Sequence, residues 1–194
     1  MPLLAESNQT EYNRHKFPAG SAGRAGGSVF GGRFCSAFAG LTQLGVFPLT
    51  TKACATYEDV DLILRLFEMR REAKLREARD WFGKSFKVKT LEEYNQLCPL
   101  GSEPNAYYRM VTSYWEMAAS FITSGVLHQE LFFESGGELL FVWERIRDVL
   151  PALRQANKSP RSLQNLQRVA EAYINWFNEQ SPGFYEAFSQ RVRG

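Results

Sequence analysis

Side chains suited to chemistry are scarce here: the 194 residues include only two histidines and three cysteines, Cys35, Cys54 and Cys98. A metal centre needs several His, Cys, Asp or Glu donors converging on one point. His128 has Glu130 and Glu134 nearby, a spacing that suits a solvated short helix better than a metal cage. The Glu-x-x-His pair of di-iron bundles is missing, because Gly125 stands three residues before His128. No C-x-x-C occurs and the thiol count is odd, so neither a zinc site nor a disulfide framework is indicated. Lone thiols fit a reducing compartment, and Cys98 reads as a small buried hydrophobe. A Cys98–His128 or Ser–His nucleophile stays formally open, although no elbow or catalytic signature surrounds it. The pattern therefore argues against an enzyme, and no cofactor or metal is expected.

Anion chemistry has two candidates. Ser135-Gly136-Gly137 precedes a helical pattern and could offer free N–H groups, but a tight turn that lets helices approach closely is the plainer reading. No G-x-x-x-x-G-K-[ST] loop exists. The second candidate is the stretch from Arg145 to Ala170. It holds six bases (Arg145, Arg147, Arg154, Lys158, Arg161 and Arg168) and one acid, Asp148, an excess of six minus one, or five. Such a stretch can meet an acidic protein or a phosphate backbone. Without interleaved aromatics or a helix-turn-helix pattern, nucleic acid ranks below a protein partner, and solvated arginines on helix backs explain much of it.

The elements that would position these groups divide the chain in two. Residues 1–55 carry eight of the fifteen glycines and five Lys/Arg against two Glu, so the slight net positive charge of the whole chain belongs to this part. So much Gly and Ser supports no helical or strand period, and a disordered tail is expected. A targeting segment is the alternative: residues 34–51 are uncharged, bases precede them, and Ala53-Cys54-Ala55 has the small-x-small form of a cleavage site. An acid-free run from Tyr12 through Tyr57 would also suit a transit sequence. The first reading places the protein in the cytoplasm; the others export it or send it to an organelle. No run of about 18 apolar residues occurs, so no transmembrane helix is expected.

From Thr56 onward apolar residues recur at helical spacing. The first pattern runs from a Thr56–Asp59 cap to Gly83, with Val60, Ile63, Leu64, Phe67, Leu75, Ala78, Trp81 and Phe82 on one face. Leu62, Leu66 and Met69 form a second apolar line opposite, a candidate homodimer contact. Arg71 and Lys74 interrupt the main face. A short helix over Leu91–Leu97 follows a Thr90–Glu93 capping box. Ser102 then caps a long helix through Thr123, and Gly125 ends it in the left-handed conformation. After a short piece around His128, a fourth helix spans Glu138–Gln155 on a Trp143 stripe, with Pro151 expected to kink or end it. Ser159-Pro160 opens a fifth helix, and a last piece follows Ser181-Pro182.

The segments RREAKLREARDWF, Phe121-Ile122-Thr123-Ser124-Gly125-Val126 leading to Glu130-Leu131-Phe132, and Trp143 followed by Pro151 and Arg154 resemble all-helical bacterial proteins of a domain family with no assigned function. The resemblance covers about residues 56–194 and implies a helical domain with no catalytic residues to carry over.

The expected fold is all-α: an antiparallel bundle of five to six helices over residues 56–194 behind a disordered glycine-rich tail. The function expected is a non-enzymatic helical module that binds another protein, or itself as a homodimer. The alternative is a ligand-binding or enzymatic bundle with a polar pocket formed by Arg71, Tyr107, Tyr114 and His128. A closed pocket around Arg71 would favour the alternative, and a solid core there the module.

Overall fold

The structure is a computed structural model that describes residues 52–193; the glycine-rich segment, its uncharged stretch and Cys35 lie outside the described residues. Among the described residues the chain is all-helical: α1 Tyr57–Arg70, α2 Ala73–Ser85, α3 Leu91–Leu97, α4 Glu103–Thr123, α5 Gln129–Ser135, α6 Glu138–Ile146, α7 Leu150–Ala156, α8 Gln164–Gln180 and α9 Phe184–Arg193. These nine helices exceed the expected five to six, partly because two long patterns are broken. No helix among them is long and apolar enough to cross a membrane.

The first break resolves the two opposed apolar lines. Leu66 and Leu75 are nine residues apart, which on a straight helix puts them about half a turn out of phase. Both are buried, each from its own side of the break. The chain interrupts itself at Arg71, and the Glu72 carboxylate caps the new helix by accepting from Leu75 N–H at 2.8 Å. In α1 the buried line is therefore Leu62 and Leu66 with Asp59, while Val60 and Leu64 face outward. The expected inward face of this helix is corrected accordingly. Gly83 does not stop α2, which continues to Ser85.

The second break lies between α6 and α7. Pro151 in the first turn of α7 has no N–H to give the preceding turn, so the helix restarts and Pro151 begins a helix rather than kinking one. The start of α8 also moves, from Pro160 to Gln164. Ser159–Ser162 closes a single turn, Leu163 adopts φ +54°, and the cap comes from another helix. Glu116 of α4 accepts from Asn165 N–H and Leu166 N–H at 3.1 and 2.8 Å, and from the Asn165 side chain at 2.9 Å. A carboxylate here meets both the unpaired N–H groups and the positive end of the helix dipole. Glu116→Ala should lower stability by about 1–2 kcal/mol in a urea melt, with Glu116→Gln losing less.

The local caps form where the sequence places them. Glu93 N–H donates to the Thr90 hydroxyl, and Asn105 N–H donates to the Ser102 hydroxyl. Gly125 has φ +71°, and Val126 and Leu127 return their N–H groups to the Phe121 carbonyl at 2.9 Å. Helix α4 is central: it packs against α2 and α8 and also touches α6. Its buried tyrosines, Trp115, Ala118 and Ile122 supply the broad face that several neighbours require. Aromatic stacking ties further layers together, with Phe82, Phe86 and Tyr108 in one stack and Phe133, Tyr173, Phe177 and Phe184 in another.

Two buried carboxylates fasten the ends of the described chain. Asp59 accepts from Lys52 Nζ at 2.8 Å, Thr56 N–H and hydroxyl, and His128 N–H at 2.9 Å. The expected Thr56–Asp59 capping box is therefore present, and the Thr56 hydroxyl also accepts from Lys52 Nζ at 3.1 Å. Burial pushes the Asp59 carboxyl up, yet Lys52 and the Thr56 and His128 N–H groups together outweigh it and hold it well below the usual carboxylate range. A depressed folded value means this clamp stabilises the fold above the ordinary carboxyl value of about 4 and is lost as pH falls below it. The melting temperature of Asp59→Asn should therefore change less than that of the wild type between about pH 4 and pH 2.

Candidate functional site

The side chains singled out by sequence are put to structural use, and they do not converge. His128 is the N-cap of α5: its Nδ1 accepts from Leu131 N–H at 3.3 Å. Among the described residues no group of three His, Cys, Asp or Glu could hold a metal. Cys98 is buried and its thiol is pushed up to about 11 by burial, whereas Cys54 is exposed. Arg71 is exposed at the α1–α2 break, and it is Arg70 that turns inward. The Arg70 guanidinium pairs with Glu138 at 3.2 Å and lies over the Phe67 and Trp115 rings. Tyr114 donates to the Leu66 carbonyl at 2.6 Å, and burial pushes its phenol up to about 12. Tyr107 donates to Glu77 and Glu103 and accepts from Lys74 at 3.0 Å. Of the four candidate pocket residues, only Tyr114 borders the small cavity beside Arg70 and Trp115, whose volume is about 10 Å³.

The basic stretch is likewise divided among elements. Arg145 stacks over Phe141 with its centre 5.3 Å from the ring. Arg147 pairs with Glu144 at 3.3 Å and reaches the Tyr185 hydroxyl. Arg154 donates to the Ser162 carbonyl and the Gln167 side chain, pinning the turn before α8. Arg161 donates to Gln164, Lys158 is exposed, and Arg168 is half-buried on α8. The proposed oligomer residues separate too: Leu66 is in the core, Leu62 packs against it, and Met69 is exposed. The outward stripe of α1 consists instead of Tyr57, Val60 and Leu64, which are 93%, 44% and 57% exposed. Gly136 is buried, and a Cβ there would come within 2.8 Å of the Phe132 ring, so this glycine serves close packing.

What the structure does assemble is a groove of about 1030 Å³ along one side of α4. Its floor runs from Asn105 through Tyr108, Thr112, Glu116 and Met117 to Ser120, about 22 Å at 1.5 Å per residue. One wall is α3 with Leu91 and Tyr94, continued by Cys98 just beyond its end and by Leu100, which is 95% exposed. The other wall is Leu150 and Leu153 of α7 and the turn from Asn157 to Leu163. The two walls are short helices flanking a long one, so an open channel is left where a full-length neighbour would pack. Its polar groups are largely satisfied within the fold. Asn105 donates to the Tyr94 hydroxyl and the Cys98 carbonyl, Thr112 donates to the Tyr108 carbonyl at 2.8 Å, and Glu116 caps α8. At the rim stand Arg109 and Arg161, neither of which forms an ion pair among the described residues.

Of these groove residues, the sequence points to Arg161, in the basic stretch, and to Cys98, a thiol that is buried here. Arg109, Leu100 and Met117 carried no signal, because the groove depends on where α3 and α7 come to rest. Glu116 had one: it is the only charge between Arg109 and the end of α4, and an isolated acid on a long helix invites a tertiary partner. A family model described as a domain of unknown function, DUF4760, matches residues 55–176, from just before α1 into α8. Neither a curated protein nor a solved structure matches the chain.

Proposed function

The chain belongs to the DUF4760 family of domains of unknown function, and from that premise we propose that it is a non-enzymatic helical module that binds another protein through the groove on α4. The observation that carries this reading is the groove itself, with a mixed apolar and polar lining and an exposed leucine at its edge. The chemical side chains support it from the other direction. His128 is occupied as a cap, Arg71 lies on the surface away from both cavities, and Tyr107 and Tyr114 are bonded to separate partners. In this reading the module starts near residue 56 and acts in the cytoplasm; a cleaved leader within residues 1–55 would send it elsewhere, and the N-terminal sequence of the mature protein decides between them.

Affinity capture with the full chain tests the function. Partners retained by the wild type should be lost on Leu100→Glu, a substitution at a solvent-exposed site that leaves the core intact. Identical partner sets for both proteins would overturn the reading.

A second reading has its own observation. Tyr57, Val60 and Leu64 share one side of α1, opposite the buried line, with Asp61 and Arg65 bonded at 2.9 Å beside them. A twofold pairing of α1 with a second copy would cover that stripe and let the two charges exchange partners. Analytical ultracentrifugation of the wild type and Leu64→Glu decides it: a dimer that dissociates on substitution supports pairing, and two monomers exclude it.

A further inference from the structure

We propose that the groove accepts an amphipathic helix of about four turns from an acidic partner, its apolar face against Met117 and the wall leucines Leu91, Leu100, Leu150 and Leu153, and its carboxylates at Arg109 and Arg161. This rests on the groove being the docking face and specifies what docks there.

Three observations lead to this occupant. The first is shape: the α4 floor is about 22 Å long, the length of roughly fifteen residues of helix, and its lining positions recur at three- and four-residue intervals. The second is hydrogen bonding. The floor is helix α4 and the walls include α3 and α7, whose helical backbone groups are already paired, and among the described residues there is no sheet edge for an extended strand to join. A peptide that buries its backbone here must satisfy its own N–H and C=O groups, which a helix does. The third is charge. Among the described residues Glu116 is the only acid lining the groove, and its two oxygens are held by Asn165 and Leu166. That leaves Arg109 and Arg161 as the unmatched charges at the rim, where a partner's Glu or Asp would complement them. Nucleic acid fits less well, because Tyr108 is buried with its ring stacked on Phe86 and has no open face for a base.

The test displays two peptide libraries to the full-length protein. One encodes fifteen-residue amphipathic helices with flank positions drawn equally from Glu, Lys, Gln and Ser; the other is unpatterned. Enrichment of the helical library with Glu on the flanks is expected. The binding of a winning peptide, followed by fluorescence anisotropy, should weaken about tenfold or more in Arg109→Glu/Arg161→Glu and remain near wild type in Arg109→Lys. Circular dichroism verifies that each variant is folded. Helices enriched for Lys or neutral flanks, or affinities indifferent to the arginine reversals, overturn the acidic partner. Winners from the unpatterned library alone overturn the helix while leaving a protein-binding groove in place. No groove-dependent enrichment from either library removes the interaction reading itself.

Discussion

Trp143→Ala is expected to lower the unfolding free energy by about 3–5 kcal/mol. Trp143 sits on α6 with only 8% of its surface exposed, among Leu139, Leu140, Val142 and Ile146, all of them buried. Helix α6 packs against α4, α8 and α9, so the space left by an indole opens among several helices that cannot all collapse into it. The loss combines the transfer of a large apolar side chain back to water with a cavity lined by unmatched atoms. Equilibrium urea unfolding measures it as a lower midpoint at unchanged slope. A change under about 1 kcal/mol would contradict the packing of α6 described above.

The neighbouring residue should fail in a different way. Glu144 has no exposed side-chain surface, and its carboxylate accepts from the Tyr185 hydroxyl, from Ser189 Oγ at 2.7 Å and from Arg193 Nε at 3.1 Å, while Arg147 pairs with it at 3.3 Å. Tyr185, Ser189 and Arg193 are spaced four apart and so lie on one side of α9, and one buried acid holds that whole side. Removing one partner of a buried charged network costs several kcal/mol when the remaining charges cannot reach water. Here Arg147 and Arg193 are about one-third exposed and can be rehydrated, which brings the expected cost of Glu144→Ala down to about 2–3 kcal/mol. The loss should be local. Amide hydrogen exchange would accelerate across Phe184–Arg193 while α4 keeps its protection. Uniform acceleration through α4 as well would mean that Glu144 supports the whole core rather than the last helix.

The adjacent pair illustrates how far sequence reasoning reaches. Trp143 was readable because helical periodicity assigns it to the same stripe as Leu139, Val142 and Ile146, and burial of a large apolar side chain follows from that stripe. Glu144 was not singled out, although the repeat at 185, 189 and 193 hinted that α9 had a polar side in need of a partner. A carboxylate amid Leu, Phe, Val and Trp signals its burial only when the donors are known to arrive from some forty residues downstream.

Much of the local architecture was legible. The all-helical class, the box at Thr90, the cap at Ser102, the left-handed Gly125 and the broad face of α4 each depend on residues within about one turn of one another. Such interactions form whatever the rest of the chain does, so their pattern alone specifies them. The breaks were decided otherwise. Within the first long pattern local propensity favours continuing, and the interruption at Arg71 accompanies the burial of both Leu66 and Leu75 against different neighbours in the fold. The late start of α8 has the same origin, because its cap comes from Glu116, about fifty residues earlier in the chain. The groove belongs to this second category. Its residues are ordinary by type and spacing, and they become a surface only because two short helices settle on either side of a long one. Sequence thus determined what each segment would be, since capping and periodicity act over a few residues. Tertiary structure determined where segments end and what they leave open, because those outcomes depend on contacts between residues far apart along the chain.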